Sequence, residues 1–238
     1  MIAKLLWIAA LLATGVVAVF AQVDRQVRYQ PELTPLVPRA FSGFAAAQRV
    51  RTDIGTENWD AAANSARDLL LRRPIPAENL TLFALAMARS GQDEAAIPAL
   101  EASARRGWRE PVAQLAAARA ALASNDATAA ARRVSALLAV GELRDDALDL
   151  LAGLLRSSEG REAFVSVLAD RTGAQDYALT AMSARAAPRD TARTVTLALA
   201  EGVTFSCAQL RRVGQALKRE GYGADRGRLW QDRCARRR

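Results

Sequence analysis

Few residues in this chain have side chains suited to catalysis or metal binding. The 238 residues include no histidine and only two cysteines. The lack of histidine excludes histidine-based catalytic triads, histidine metal ligands and axial haem histidines. Two cysteines are too few for a Cys₄ zinc or iron–sulfur site within one chain. No glycine-rich phosphate loop, nucleophile elbow or dinucleotide fingerprint occurs in the sequence. We therefore expect no catalytic residues, no metal site, no cofactor and no enzymatic activity.

The two cysteines stand at opposite ends of a predicted helical hairpin. Cys207 begins one predicted helix and Cys234 ends the next. Because an antiparallel hairpin brings these two ends together, a structural disulfide is expected in an oxidising compartment. The alternative is two separately buried thiols. A catalytic thiol is not expected, because no histidine is present to activate it.

Three arginines recur on the first helix of successive predicted hairpins: Arg51, Arg89 and Arg119. In a stack of hairpins these first helices share one face. A row of guanidinium groups can hold a carboxylate, such as a peptide C-terminus or an acidic sugar. We predict a groove-binding role for the three, as the resemblance to a repeat family given below implies, against the alternative that they are ordinary solvated arginines.

An acidic cluster opens a later predicted helix and consists of Asp145, Asp146 and Asp149. Carboxylates near a helix N-terminus interact favourably with the helix dipole. We interpret the cluster as structural, and no pair of carboxylates elsewhere is singled out for hydrolysis.

The chain is basic, with 33 Lys and Arg against 25 Asp and Glu and a net charge of +8. Such a balance can indicate a nucleic-acid or anionic-surface partner. Lysine occurs only at Lys4 and Lys218, and an Arg- and Ala-rich composition is also what a GC-rich bacterial genome produces. We interpret the charge mainly as codon usage and solvation, and nucleic acid is not the expected partner.

The N-terminus predicts export or membrane attachment. After Lys4, residues 5–21 carry no charge, and their length lies between a signal-peptide core and a span of about 20 residues. Val19-Phe20-Ala21 is an acceptable cleavage site. We predict that residues 1–21 are a signal peptide or a membrane anchor. In a bacterium the body then lies in the periplasm, free or attached to the inner membrane, although Arg25 and Arg28 slightly oppose that orientation.

The next segment, residues 22–40, contains Pro31, Pro35 and Pro38. Proline suppresses helix and favours extended backbone. We predict a tether that spaces the first helix of the body from the membrane or the cleavage point.

The body is organised around three Ala-Ala pairs that follow turn-prone residues. They place Ala62, Ala96 and Ala130 in one register, with about 34 residues between copies, the period of a helix–turn–helix repeat. Abundant alanine and the absence of a long β-branched alternation predict an all-α fold. The predicted helices are 41–52, 59–71, 80–89, 94–105, 111–123, 127–140, 143–156, 161–171, 176–186, 190–200, a helix opened by Ser206, and 224–234.

This pattern resembles tetratricopeptide repeats over residues 43–141. Ala84 matches the small residue of the first helix, Gly91 the turn, and Pro74 the proline that closes a repeat. The repeats are degenerate, because Gln114 stands where an apolar anchor belongs. The resemblance implies an all-α solenoid of antiparallel helix hairpins behind the N-terminal segment, over residues 41–235, followed by a basic tail at 236–238.

The resemblance also implies a function. We expect a non-enzymatic protein-binding adaptor or scaffold, exported to the bacterial envelope, whose partner is another envelope protein or a peptide. The alternative is an arginine-rich solenoid that binds an acidic exopolysaccharide or cell-wall glycan. The membrane is a further partner, through residues 5–21, if the segment is not cleaved.

Overall fold

The structure is a computed structural model that describes residues 2–170, 173–222 and Trp230. Within these ranges the chain forms helices and loops without a strand, so the predicted all-α fold of helix hairpins behind an apolar N-terminal helix is confirmed. The chain divides into two compact units, Met1–Glu110 and Pro111–Arg238, where the sequence predicted one domain over residues 41–235.

The helices fall close to their predicted positions. Unit 1 comprises α1 (Ile2–Gln26), α2 (Phe44–Gly55), α3 (Trp59–Arg72), α4 (Ala77–Arg89) and α5 (Asp93–Arg106), with two 3₁₀ turns, Pro31–Leu36 and Arg39–Phe41, before α2. The described helices of unit 2 are α6 (Pro111–Ala123), α7 (Ala127–Val140), α8 (Arg144–Leu154), α9 (Ser158–Ala169), α10 (Gln175–Arg185), α11 (Pro188–Ala200) and α12 (Cys207–Arg219). The predicted helix 224–234 lies outside the described residues, except for Trp230.

In unit 1, α2 packs on α3, α3 on α4 and α4 on α5. The Ala-Ala register accounts for this, because Ala62 and Ala96 are buried between neighbouring helices. Their small side chains let the backbones approach closely. The N-terminus of α3 is capped by Asn58, whose side-chain oxygen accepts from the Ala61 N–H at 3.3 Å.

Unit 2 has a two-layer arrangement typical of helical repeats. Helices α6, α8, α10 and α12 contact one another in sequence to form one layer, and α7, α9 and α11 form the other. A continuous apolar core runs between them, from Ala118 to Trp230, with Phe164 fully buried at its centre. From α8 onwards, contacts within a layer dominate over contacts within a hairpin. This explains why the repeat pattern fades in the sequence while the stacking continues.

The structure also explains Gln114, the residue that departs from the repeat pattern. Its side chain is fully buried in α6, and its Oε1 accepts a hydrogen bond from Arg133 Nη1 of α7 at 3.1 Å. A buried amide is tolerated when its polar atoms are bonded. A polar link between α6 and α7 therefore replaces the apolar anchor.

The helix opened by Ser206 is capped differently from the reciprocal box that its sequence suggests. The Ser206 hydroxyl accepts from the Gln209 N–H at 3.3 Å, as a capping serine does. The Ser206 N–H donates instead to the Asp176 carboxylate at 2.8 Å. Gln209 donates to the Thr180 hydroxyl at 2.6 Å, so α12 is fastened to α10.

The segment predicted as an extended tether, residues 22–40, is folded onto unit 1. Helix α1 continues as far as Gln26, and Pro31 and Pro35 lie in a 3₁₀ turn, whereas Pro38 keeps extended backbone just before the second turn. Val27 and Val37 are both 2% exposed and pack with Ala45 of α2. Burial of these apolar side chains favours the folded segment over a solvated spacer.

Asp24, in the last turns of α1, holds α1 against the body. Its carboxylate is 7% exposed and accepts hydrogen bonds of 2.9 to 3.0 Å from the N–H groups of Gly43, Phe44 and Ala45. These are the free donors at the N-terminus of α2, which also carries the positive end of the helix dipole. A residue distant in sequence therefore caps α2 and fixes the direction in which α1 leaves unit 1.

The remainder of α1 stands away from the body. Its side chains from Ile2 to Val19 are exposed, and the first contact is the Phe20 ring, which stacks on Phe41 with centroids 5.3 Å apart. Within the described residues, α1 is the one helix long and apolar enough to cross a membrane, a test that a signal sequence also passes.

Candidate functional site

A cleft on the surface of unit 1 is the best candidate for a binding site. It lies between α2, α3 and the 3₁₀ turn Arg39–Phe41, and it has a volume of about 330 Å³, at the lower end of the range for ligand sites. Its lining residues are Arg39, Ala46, Arg49, Asn64, Ser65, Arg67, Asp68 and Leu71.

Helix periodicity explains how α3 supplies most of this lining. Asn64, Arg67 and Leu71 follow the helical spacing of three and four residues, so they share one face of α3. The opposite face carries the buried Ala66 and Leu69 that pack in the core. The cleft face is therefore the solvent side of an amphipathic helix.

Two of the three arginines that line the cleft are held by neutral acceptors. Arg49 Nη2 donates to the Val37 carbonyl oxygen at 2.7 Å. Arg67 donates to the Asn64 side-chain oxygen at 3.0 Å and to the Gln92 side-chain oxygen. Among the described residues, no acceptor binds the Arg39 guanidinium. The bonds made by Arg49 and Arg67 orient those two guanidinium groups without neutralising their charge.

The only acidic residue in the lining is Asp68, and its charge is already engaged. Arg72, one turn further along α3, lies 3.5 Å from the Asp68 carboxylate. The cleft therefore presents Arg39, Arg49 and Arg67 against one lining carboxylate, which a fourth arginine outside the lining already pairs. A planar guanidinium binds carboxylate with paired hydrogen bonds, so the fitting ligand is a carboxylate-bearing group.

The arginines predicted to line a groove have different surroundings. Arg51 is exposed on α2, and the Arg89 guanidinium lies 5.2 Å from the centroid of the Trp59 ring. Arg119, in unit 2, forms an ion pair of 2.6 Å with Asp146. Since they lie in separate units, a common row of all three stays a prediction.

The acidic cluster predicted to be structural forms ion pairs between helices. Asp146 pairs with Arg119 of α6, and Arg185 of α10 lies 2.6 Å from Asp149 and 3.9 Å from Asp145. Helix α8 is thus linked electrostatically to its two neighbours in the same layer, in addition to the favourable interaction with its own dipole. No group of three or more acidic or cysteine residues suited to a metal ion occurs in the described ranges.

Of the two cysteines in the predicted disulfide, only Cys207 lies within the described residues. Cys207 is the first residue of α12, as the sequence predicted. Cys234 lies outside the described residues, so its pairing with Cys207 stays a prediction.

A second cleft, in unit 2, is larger but less distinctive. It has a volume of about 500 Å³ and lies between the α6–α7 loop and the region where α8 meets α9. Its charged residues, Arg156 and Glu159, have opposite signs. Hydrogen bonds from its own backbone amide and from the Ser158 hydroxyl hold the pKa of the Glu159 carboxyl below its usual range, so the carboxylate form dominates. This cleft offers no net charge for recognition.

Sequence reasoning missed Arg39, Arg49 and Arg67 for identifiable reasons. Arg39 lies in the segment that was predicted to be a tether. Arg49 lies on the same helix as Arg51, and the repeat spacing favoured Arg51 as the groove residue. Only Arg67, with Asn64 and Leu71, carried a signal, as the solvent face of an amphipathic helix.

Comparisons with known proteins leave the family open. No protein-family model matches the chain, and neither a curated protein nor a solved structure matches it.

Proposed function

We propose that this protein is a membrane-tethered adaptor of the bacterial envelope, with a tetratricopeptide-like helical body. Its cleft would bind an acidic segment or the C-terminal carboxylate of another envelope protein. The observation that carries this proposal is the set of three arginines at the cleft, Arg39, Arg49 and Arg67, against a single lining carboxylate, Asp68, which pairs with Arg72.

The repeat geometry supports the tetratricopeptide-like interpretation of the body. Ala62, Ala96 and Ala130 are all buried, as the shared register requires. Gly91 has a φ of +75° in the turn between α4 and α5, a conformation that favours glycine. Repeat proteins of this kind use such stacked helices as binding surfaces.

The contacts of α1 support a retained anchor over a cleaved signal. Cleavage after Ala21 would remove Phe20 from its stack on Phe41. It would also cut a continuous helix just before Asp24, which caps α2. These contacts support a membrane-anchored chain, and the placement in the inner membrane with a periplasmic body is proposed from the N-terminal sequence.

A protein ligand suits the cleft better than the alternative, an acidic exopolysaccharide or cell-wall glycan. At about 330 Å³ the cleft has room for a chain terminus or a few side chains. Its lining includes no aromatic ring on which a sugar could pack. Salt-sensitive retention on an anionic polysaccharide, lost with the cleft arginines, would support the glycan instead.

Photo-crosslinking in native membranes tests the proposal. A photoreactive amino acid replaces Leu71 at the cleft of the full-length chain, and the same probe replaces Glu57 in the α2–α3 loop as the background position. We expect a protein adduct at position 71 that is absent at position 57. The captured protein is then identified, purified and titrated against the full-length chain.

Two double variants that lose the same charge test whether the ligand binds at the cleft or in the groove predicted from the sequence. Arg39→Gln with Arg67→Gln should weaken binding of the captured protein by about 30-fold, since buried or partly buried charge pairs are worth a few kcal/mol at interfaces. Arg51→Gln with Arg89→Gln should leave binding within about twofold. If only the second variant loses binding, the ligand binds in the groove predicted from the sequence. If neither variant loses binding, the proposal is overturned.

A further inference from the structure

One end of unit 1 carries exposed aromatic, apolar and basic side chains beside the point where α1 leaves the body. The loop after α3 exposes Ile75 at 80%, and the loop after α5 exposes Trp108 at 51%. Arg109 lies over the Trp108 ring, with its guanidinium carbon 4.3 Å from the centroid. Arg28 and Tyr29, just past α1, are exposed as well. We call Arg28, Tyr29, Ile75, Arg106, Trp108 and Arg109 the juxtamembrane surface.

A chain of direct contacts joins this surface to α1. The Phe20 ring stacks on Phe41. The neighbouring Ala40 carbonyl accepts from Arg72 Nη1 at 3.4 Å, at the end of α3. The next loop is fastened in turn, because Arg106 Nη1 donates to the Pro74 carbonyl oxygen at 2.9 Å. The ends of α3 and α5 therefore lie on the same side of unit 1 as the N-terminus of α2, where Asp24 holds α1.

The position of Phe20 sets how far this surface lies from the bilayer. Phe20 belongs to the last turn of the uncharged stretch 5–21, which fills most of the hydrocarbon thickness when it spans a membrane. Since Phe20 touches Phe41, the end of unit 1 that includes Phe41 must lie at the headgroup level. The inference rests on α1 spanning the membrane.

The chemistry of the surface matches that location. Trp and Tyr are enriched at membrane interfaces, where an apolar ring and a polar edge are both accommodated. Exposed arginines beside the bilayer are attracted to anionic headgroups. Acidic residues lie at this end as well: Glu32 and Glu78 are exposed, whereas Asp24 caps α2 and Glu110 accepts from the Thr81 hydroxyl at 3.2 Å.

We propose that the juxtamembrane surface docks onto an anionic bilayer, with Trp108 and Ile75 at the interface and the arginines on lipid phosphates. Unit 1 is then held against the membrane by two attachments, α1 and this surface, and does not follow the tilt of α1 alone. Docking fixes unit 1 in orientation, so that the arginine-lined cleft is presented at a constant height above the bilayer.

Quenching of tryptophan by lipids with brominated acyl chains tests this in the full-length chain. The chain has four tryptophans, and three single-tryptophan variants, with Phe at the other three positions, retain Trp7, Trp59 or Trp108. Trp7 reports insertion of α1. Trp59 is the matched control, because it lies at the opposite end of α3, about 20 Å away along the helix. All three are reconstituted in nanodiscs rich in phosphatidylglycerol, with circular dichroism to verify folding.

We expect Trp7 and Trp108 to be quenched, with Trp108 quenched at least about threefold more than Trp59, as an interfacial indole should be. Arg106→Gln and Arg109→Gln should each lower the docked population about fivefold, and so should exchange for zwitterionic lipid. If Trp7 is quenched but Trp108 is quenched no more than Trp59, the proposal is overturned. An unquenched Trp7 would overturn it as well, because α1 would not then span the bilayer.

Discussion

Replacement of Asp24 by alanine is expected to lower the free energy of unfolding of unit 1 by about 3 kcal/mol, because a buried charged cap is lost. The variant leaves the N–H groups of Gly43, Phe44 and Ala45 without their acceptor at the positive end of the α2 dipole. It also releases α1 from the body. Asp24→Asn keeps the shape and one acceptor oxygen, and its effect should be intermediate.

Native-state hydrogen exchange in α2 to α5 of the full-length chain measures this change. Asp126→Ala is the matched control, because Asp126 also caps a helix but accepts one exposed bond, from the Ala129 N–H at 2.9 Å. Its cost should be about 1 kcal/mol and should be confined to unit 2. If Asp24→Ala slows or leaves unchanged the exchange of unit 1, Asp24 does not hold α1 and α2 together.

Substitution by alanine at two glycines of unit 2 is expected to change the free energy of unfolding in opposite directions. Gly160 is buried in the first turn of α9, and a Cβ there would overlap the Leu154 carbonyl oxygen, which is backbone and cannot rotate away. It would also approach the capping Ser157 hydroxyl oxygen to 2.9 Å. Gly160→Ala should therefore lower the stability of unit 2 by about 3 kcal/mol, the upper range for overpacking.

Gly153→Ala in α8 is the control within the same unit. Nothing lies within 4 Å of a Cβ at that position, so alanine only improves helix propensity and restricts the unfolded chain. We expect a gain of about 0.5 to 1 kcal/mol. Urea unfolding of both variants checks the pair, and a gain for Gly160→Ala would contradict the close approach of α8 and α9.

The fold could be predicted from the sequence where the signals were local. The spacing of Ala62, Ala96 and Ala130 placed the hairpins, and the helices 111–123 and 127–140 were predicted at the bounds observed. Helix periodicity and turn residues act over a few positions, so they remain visible even when the repeats have diverged.

The parts that were missed depend on residues brought together from a distance. In the sequence, Asp24 is a charged residue that follows an apolar stretch. No neighbouring residue in the sequence indicates that it caps the helix that begins at Phe44. The prolines correctly excluded an α-helix over residues 31–38, although α1 continues into the predicted tether as far as Gln26. They did not reveal that Val27 and Val37 would be buried, because burial depends on the tertiary neighbour. Arg39 and Arg67 meet at one cleft for the same reason.

A membrane-anchored body is tested most directly by the mass and location of the mature chain. The full-length protein is expressed in a bacterium with a tag after Arg238, the cells are fractionated, and the recovered chain is weighed with and without reduction and alkylation. We expect an intact chain in the membrane fraction, resistant to carbonate extraction, that gains two alkyl groups only after reduction, as a Cys207–Cys234 disulfide requires. A soluble periplasmic chain that begins at Gln22 would contradict the retained anchor and, with it, the docking of unit 1 on the bilayer.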